Sequence, residues 1–280
     1  MRKIKTKQIT ETVKRLCVES NYYLGNDVVK ALEQAVKLEK SDTGKEIISQ
    51  IIENADIARR DNIPICQDTG FTVVFLELGQ EVYIDGGDLY KAVNEGVSRG
   101  YKEGYLRKSI VEDPLRRKNT GDNTPAVIHV EIVPGDKLKI VVAPKGCGSE
   151  NMSEIKMLNP HAGVTGIESF VVDRVKRSGG NPCPPIIVGV GIGGNFERCA
   201  ELAKKALLRN IGERNKDSFY ADLEEKLLEK INNLNIGPMG LGGKVTAIDL
   251  FIETFPCHIA SLPVAVNIQC HAARHKEAVL

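Results

Sequence analysis

The sequence predicts an α+β fold: a helical N-terminal region packed on a mixed β-sheet core with flanking helices. Three observations predict it. The first sixty residues carry apolar side chains at helical spacing. The middle of the chain holds short apolar runs of strand length, bounded by glycine and proline. Beyond it, helix-like and strand-like stretches alternate, which suits helices laid on a sheet. With no repeat, low-complexity stretch or linker, residues 1–280 read as one domain, a helical segment over about 1–60 and a mixed body over about 61–280.

Taken in order, Ile9, Val13, Leu16 and Cys17 mark a first helix, and Val28, Val29, Leu32, Val36 and Leu38 a second. Ile47, Ile48, Ile51, Ile52 and Ala55 stripe a third. The turn-rich run Ile63 to Gly70 leads into a strand over 71–78, and Gly86-Gly87-Asp88 caps a helix over about 89–102. A hairpin is expected next: Ile128, Val130 and Ile132 alternate with His129 and Glu131, Pro134-Gly135-Asp136 turns, and residues 138–143 return. Helices are expected over 164–177, 195–210 and 219–232, and strands over 186–190 and 245–253, with a last extended stretch over 259–269.

Composition narrows the function. Thirty-eight basic against 37 acidic residues give a net charge of +1, without the basic excess that phosphate neutralisation demands, so no nucleic-acid partner is expected. The basic N-terminus is not followed by a signal-peptide core. The longest apolar run, Pro184 to Gly194, is about half of the ~20 residues a bilayer span needs. A soluble, cytoplasmic protein with no membrane partner is expected.

Two glycine-rich stretches imitate nucleotide sites. Gly189-Val190-Gly191-Ile192-Gly193-Gly194 fits G-x-G-x-x-G between a strand and a helix, but no second strand ending in an acidic residue follows about twenty positions on. Glycines that let helix and strand pack closely explain it better. Gly242-Gly243-Lys244 lacks the earlier glycine of a phosphate loop, since Pro238 stands there, and Val245 replaces the magnesium-binding hydroxyl.

The seven cysteines are odd in number and show no CxxC pair, unlike a secreted disulfide framework. Cys17 and Cys199 lie on apolar helix faces and read as core. Cys66, Cys147, Cys183, Cys257 and Cys270 sit among glycine, proline and polar residues, where thiols are available as ligands. Spacing does not say which of them meet. Three well-separated cysteines are one option; a zinc site from Cys270, His271 and His275, in a zinc-stabilised binding or regulatory protein, is another.

The motifs carry more. Ile65-Cys66-Gln67-Asp68-Thr69-Gly70, Asn119-Thr120-Gly121-Asp122-Asn123-Thr124-Pro125, Lys145-Gly146-Cys147-Gly148-Ser149-Glu150-Asn151, Cys183-Pro184-Pro185 and a terminal Cys270 form one ordered set. It spans about 63–275 and resembles class I fumarate hydratases and the related L-tartrate dehydratases. The resemblance implies a [4Fe–4S] cluster held by Cys66, Cys183 and Cys270. With three thiolates in place of four, one iron stays open and acts as a Lewis acid on a substrate hydroxyl. It further implies reversible hydration of fumarate to L-malate, with L-tartrate dehydration as the alternative, and oxygen sensitivity.

By the same resemblance Gln67, Asp68, Arg107 and Gly148 bind the small dicarboxylate substrate, and Asp68 and His258 are catalytic. Each has a plainer reading: Asp68 as a turn cap, Arg107 as a surface side chain, His258 as a core histidine. Family members often show three glycines where this chain has Gly146-Cys147-Gly148, which adds a thiol near the site. Single-chain members carry a second half that this sequence lacks. The resemblance therefore implies the alpha subunit of a hetero-oligomer that needs a separate beta subunit.

Overall fold

The computed structural model describes residues 1–280. In chain order the elements are β1 (Arg2–Lys5), α1 (Thr6–Tyr22), α2 (Asn26–Leu38), α3 (Asp42–Asp61), β2 (Phe71–Gly79), β3 (Val82–Asp85) and α4 (Leu89–Glu103). Then follow β4 (Val127–Val133), β5 (Leu138–Lys145), α5 (Cys147–Glu150), β6 (Glu154–Leu158), α6 (Gly163–Ser178) and β7 (Ile186–Gly193). The chain finishes with α7 (Phe196–Ala206), α8 (Ser218–Asn232), β8 (Ala247–Phe255), β9 (Leu262–Gln269) and β10 (Lys276–Val279). Helices on mixed sheets make the α+β class plain. No helix is long and apolar enough to cross a membrane.

Contacts divide the chain into two compact units. One comprises Met1–Leu24, Asn54–Cys147 and Arg274–Leu280; the other comprises Gly25–Glu53 and Gly148–Ala273. The helical N-terminal stretch is thus shared out, with α1 in the first unit and α2 in the second.

The first unit is built on the sheet β10-β5-β2-β4, and β1 and β3 form a separate parallel pair. The hairpin expected of β4 and β5 does not form. Instead β2 lies between them, parallel to β4 and antiparallel to β5. Burial explains the order. Residues 72–76 of β2 are all buried, as in a central strand, whereas β4 has no buried residue and is exposed at 127 and 130–132, which suits an edge. The link over 134–137 therefore crosses two strand spacings, about 9.6 Å. Ile9, Val13, Leu16 and Cys17 of α1 and Val93, Val97 and Tyr101 of α4 pack with Val74, Leu76, Leu138, Ile140 and Val142. Asp88 starts α4, its side chain accepting the Lys91 N–H at 2.8 Å.

The second unit is built on the sheet β6-β9-β7-β8. All eight residues of β7 are buried. Ile186, Val188 and Val190 pack with Ile167, Phe170 and Val171 of α6 and Leu223, Leu227 and Ile231 of α8. Gly189 and Gly191 alternate with them and meet α7. A Cβ at Gly189 would run into the Ala203 carbonyl oxygen, and one at Gly191 into that of Cys199. These glycines lie inside the strand and serve helix packing, so the dinucleotide reading falls.

Glu168 of α6 is buried and bonded to Lys226 and Lys230 of α8, both at 2.7 Å. Hydrogen bonds from the two ammonium groups hold its carboxyl below the ordinary range, against the opposing effect of burial. A depressed carboxylate contributes stability that is present above its unfolded value and lost as pH falls through the folded one. Thermal midpoints should therefore drop below about pH 4.3. A Glu168→Gln chain should start lower at neutral pH and lose less on acidification. Equal acid losses in the two chains would remove Glu168 from that account.

Candidate active site

In the first unit the turn before β2 carries three of the expected residues, and every part of it is tied down. The Asp68 N–H donates to Cys66 Sγ at 3.4 Å, which orients the sulfur. Asp68 Oδ1 accepts the Gly70 N–H at 3.0 Å, and Oδ2 accepts the Cys147 N–H at 2.9 Å. The turn-cap reading of Asp68 is therefore correct as far as it goes. Each carboxylate oxygen retains a second lone pair, so capping leaves Asp68 able to hold a substrate proton. The Asp68 carbonyl accepts from Arg274 Nη2 at 2.9 Å, and Arg274 Nη1 donates to Asn21 Oδ1 at 3.1 Å.

Below the turn, Tyr101 is fully buried, and its hydroxyl donates to the carbonyls of Thr69 and Gly70 at 2.8 and 3.0 Å. Burial pushes the Tyr101 hydroxyl pKa up, so it stays a donor. Asn123 bridges two segments, giving its amide N–H to the Gly70 carbonyl at 3.2 Å and accepting the Ser109 N–H at 2.7 Å. Thr69 Oγ1 donates to the Arg107 carbonyl at 3.0 Å. The Arg107 backbone is thereby fixed beside the Asp68 turn, while Arg107 and Gln67 themselves are exposed. Tyr101, Asn123 and Arg274 went unrecognised in the sequence as supports of this turn. Asn123 had a signal, since it stands in the Asn-Thr-Gly-x-Asn-x-Pro motif.

In the second unit Cys183 and Cys270 come to the same end of the sheet. Cys183 precedes β7 and Cys270 follows β9; these strands run antiparallel with Ile187 opposite Gln269. His271, next to Cys270, approaches the Cys183 carbonyl with its backbone N–H at 3.5 Å and Nδ1 at 3.0 Å. The two cysteines are held side by side by their backbones. Cys183 has φ of 56°, in the left-handed region that non-glycine residues seldom adopt. Gly148 is exposed and has only the Asn181 carbonyl, at 3.8 Å, near its missing Cβ. The fold alone leaves room for a side chain there.

His258 is not brought to that end. It sits in the exposed loop between β8 and β9, beyond Phe255, which pairs with Gly193 at the far end of β7. The length of β7 separates it from the Cys183 end, roughly 20 Å at the rise of a strand. The Ala260 N–H donates to its Nδ1 at 3.1 Å. His258 is neither a core histidine nor a neighbour of Cys183 and Cys270 in its own sheet.

None of the seven cysteines forms a disulfide. Cys17 and Cys199 are fully buried core residues. Burial pushes the Cys17 thiol up to about 12 and raises that of Cys199, so neither is a thiolate ligand. Cys66, Cys183 and Cys270 are half-buried on loops, while Cys147 and Cys257 are exposed. No three or more His, Cys, Asp or Glu side chains are grouped to hold a single metal ion. A four-iron cube spaces its sulfur ligands more widely than one ion does. The donor set that remains, three half-buried loop thiols outside any disulfide, fits the chemistry of such a cube.

Residues 10–279 match the family described as fumarate hydratase (Fumerase). A protein of Methanocaldococcus jannaschii, provisionally named L(+)-tartrate dehydratase subunit alpha, is 47% identical over 275 residues, covering 95% of each chain. L(+)-tartrate dehydratase subunit alpha of Escherichia coli (strain K12) is 34% identical over 270 residues, covering 95% of this chain and 89% of that one. A match over nearly the whole length displaces the reading as a zinc-stabilised binding protein. The chain belongs to the fumarate hydratase (Fumerase) family and is a hydro-lyase.

Proposed function

We propose that Cys66, Cys183 and Cys270 hold a [4Fe–4S] cluster with one open iron, in the alpha subunit of a two-subunit hydro-lyase. Its reaction is the reversible hydration of fumarate to L-malate. The observation that carries this is the fixed pairing of the Cys183 and Cys270 loops at one end of their sheet. Cys66 stands two residues from Asp68, in the turn fixed by Tyr101, Asn123 and Arg274. Only four positions of chain separate Cys270 from Arg274. When bound, the cluster supplies a Lewis acid for the hydroxyl of a 2-hydroxy dicarboxylate.

The protein's own groups do the rest. Arg107 presents a planar fork to a substrate carboxylate, as bidentate contact requires. The Gly148 N–H donates to the substrate, and Gln67 adds a polar contact beside Cys66. Asp68, already holding two backbone N–H groups, keeps its carboxylate fixed in one orientation, where it accepts or returns the hydroxyl proton. His258, the second catalytic candidate implied by the resemblance, stands in the exposed loop between β8 and β9.

Replacing Arg107 by Lys keeps the charge and removes the fork. A charged hydrogen bond is worth about 1.5–3 kcal/mol, so kcat/KM should fall by roughly one to two decades. An unchanged kcat/KM would take Arg107 out of the site.

The relatives are named as alpha subunits, which supports a separate beta subunit as partner. Their names also favour a second reading, L-tartrate dehydration, which differs by one substrate hydroxyl. Anaerobic assembly with the beta subunit, followed by assay on fumarate, L-malate and L-tartrate, separates the two. Turnover of tartrate alone would sink the fumarate reading. Absence of iron and sulfide after reconstitution would sink both.

A further inference from the structure

We infer that Glu39, far from the cysteines in sequence, is a positioning residue for Cys183, acting through the glycine-rich loop 237–245. The inference rests on the cluster reading above and adds to it a residue that the motifs do not contain.

Glu39 follows α2 and is 2% exposed. Its side chain points into a ring of backbone donors. Oε1 accepts the N–H groups of Lys40, Ser41 and Lys244 at 2.7, 2.9 and 2.9 Å, and Oε2 accepts that of Val245 at 2.8 Å. Converging main-chain N–H groups of this kind form an anion nest. At the end of the run Gly242-Gly243-Lys244, which imitates a phosphate loop in sequence, the N–H groups of Lys244 and Val245 do point at an anion. That anion is the protein's own carboxylate. Burial would raise the carboxyl pKa, but the four N–H groups together hold it below the ordinary range, so Glu39 is charged at neutral pH. Gly243 has φ of 129° and lies against the carboxylate, where a Cβ would come within 2.7 Å of Oε1.

The loop that Glu39 anchors then reaches the cysteine turn. Its Met239 N–H donates to the Pro184 carbonyl at 2.8 Å, directly after Cys183. Gly240 lies so close to Gly180 that a Cβ on Gly240 would sit 2.5 Å from the Gly180 Cα. The Gly180 carbonyl in turn accepts the Cys183 N–H at 3.0 Å. At the loop's other end the Thr246 carbonyl accepts the Ile186 N–H at 2.9 Å. The Cys183 turn is therefore gripped before and after the cysteine by one loop. Left-handed backbone at Cys183 needs that support, because an isolated chain would relax out of it. With Glu39 neutral or absent, the nest loses its anion, the loop loosens, and Cys183 loses its fixed direction.

The test compares the full-length wild type with Glu39→Gln and Glu168→Gln. Glu168 is an equally buried carboxylate of the same unit, bonded to lysines instead of the loop. After anaerobic reconstitution, the rate of iron loss to a chelator is measured, with thermal midpoints taken in parallel. Glu39→Gln should lose iron about tenfold faster than Glu168→Gln at the same margin below the melting midpoint. Equal rates at matched stability would overturn the inference, because general destabilisation would then explain the loss.

Amide hydrogen exchange on the cluster-free chains provides a second readout. Glu39→Gln should speed exchange in both 237–245 and 180–186, and Glu168→Gln in neither. Faster exchange in 237–245 with 180–186 unchanged would overturn the inference, whatever the metal result. If the wild type takes up no iron, the cluster reading falls and the exchange measurement alone decides whether Glu39 positions Cys183.

Discussion

A Cys183→Ser chain should emerge from anaerobic reconstitution with far less iron and sulfide than the wild type, which should hold roughly four of each. Serine keeps the size and backbone of cysteine, so the left-handed turn and its bonds to Gly180, Met239 and His271 have no reason to fail. What is lost is a soft thiolate, the ligand type that iron–sulfur clusters select. Disturbing outer partners of a metal ligand already costs 10- to 100-fold, so losing a ligand should lower activity of the assembled enzyme by more than about 100-fold. Cys257→Ser is the matched control, an exposed thiol in the loop with His258 at the other end of the sheet. It should retain full iron. Equal iron in the two variants would refute the three-cysteine site.

Gly191→Ala should strongly destabilise the second unit. The new Cβ would enter the space of the Cys199 carbonyl oxygen and lie 2.6 Å from the Ala203 nitrogen, both main-chain atoms of α7. A flexible side chain could rotate away. A helix backbone packed on a fully buried strand has to move as a body. Overpacking on this scale costs about 3 kcal/mol, and for a chain of this size the thermal midpoint should fall by roughly 6–12 °C. Gly191→Val should not yield soluble protein. If Gly191→Ala melts with the wild type, α7 does not approach β7 as described.

Much of this architecture was legible because it rests on local periodicity. The stripe of Ile9, Val13, Leu16 and Cys17 is the buried face of α1, and Asp88 caps α4 as its position before Leu89 suggested. The burial of Cys17 and Cys199 and the packing role of Gly189 and Gly191 followed from the same patterns. Pairing between strands was not legible. Nothing local to β4 and β5 announces that β2, some fifty residues earlier, will come between them. The strands β1, β3, β6 and β10 have only four or five residues, too few for a periodic signal.

At the site, the motif residues around Cys66 and Asp68 stood out, but their supports Tyr101 and Arg274 looked like ordinary helix and loop positions. Glu39 was hidden because an anion nest is made by the backbone of a distant loop, and no side-chain pattern encodes it. His258 came only from the resemblance; the twelve positions between it and Cys270 contain the eight-residue strand β9, which puts it at the other end of its sheet.

The first sheet draws its outer strand β10 from Lys276–Val279, paired with β5 over Lys139–Val142. On the ribosome, the N-terminal unit must therefore wait with an open flank until synthesis has passed residue 279, while the segment that makes most of the second unit emerges in between. The nested unit can mature first, and the enclosing one is sealed last by four residues. Cys270 lies a few positions ahead of that seal, so the last proposed ligand leaves the exit tunnel at nearly the moment the nascent fold closes.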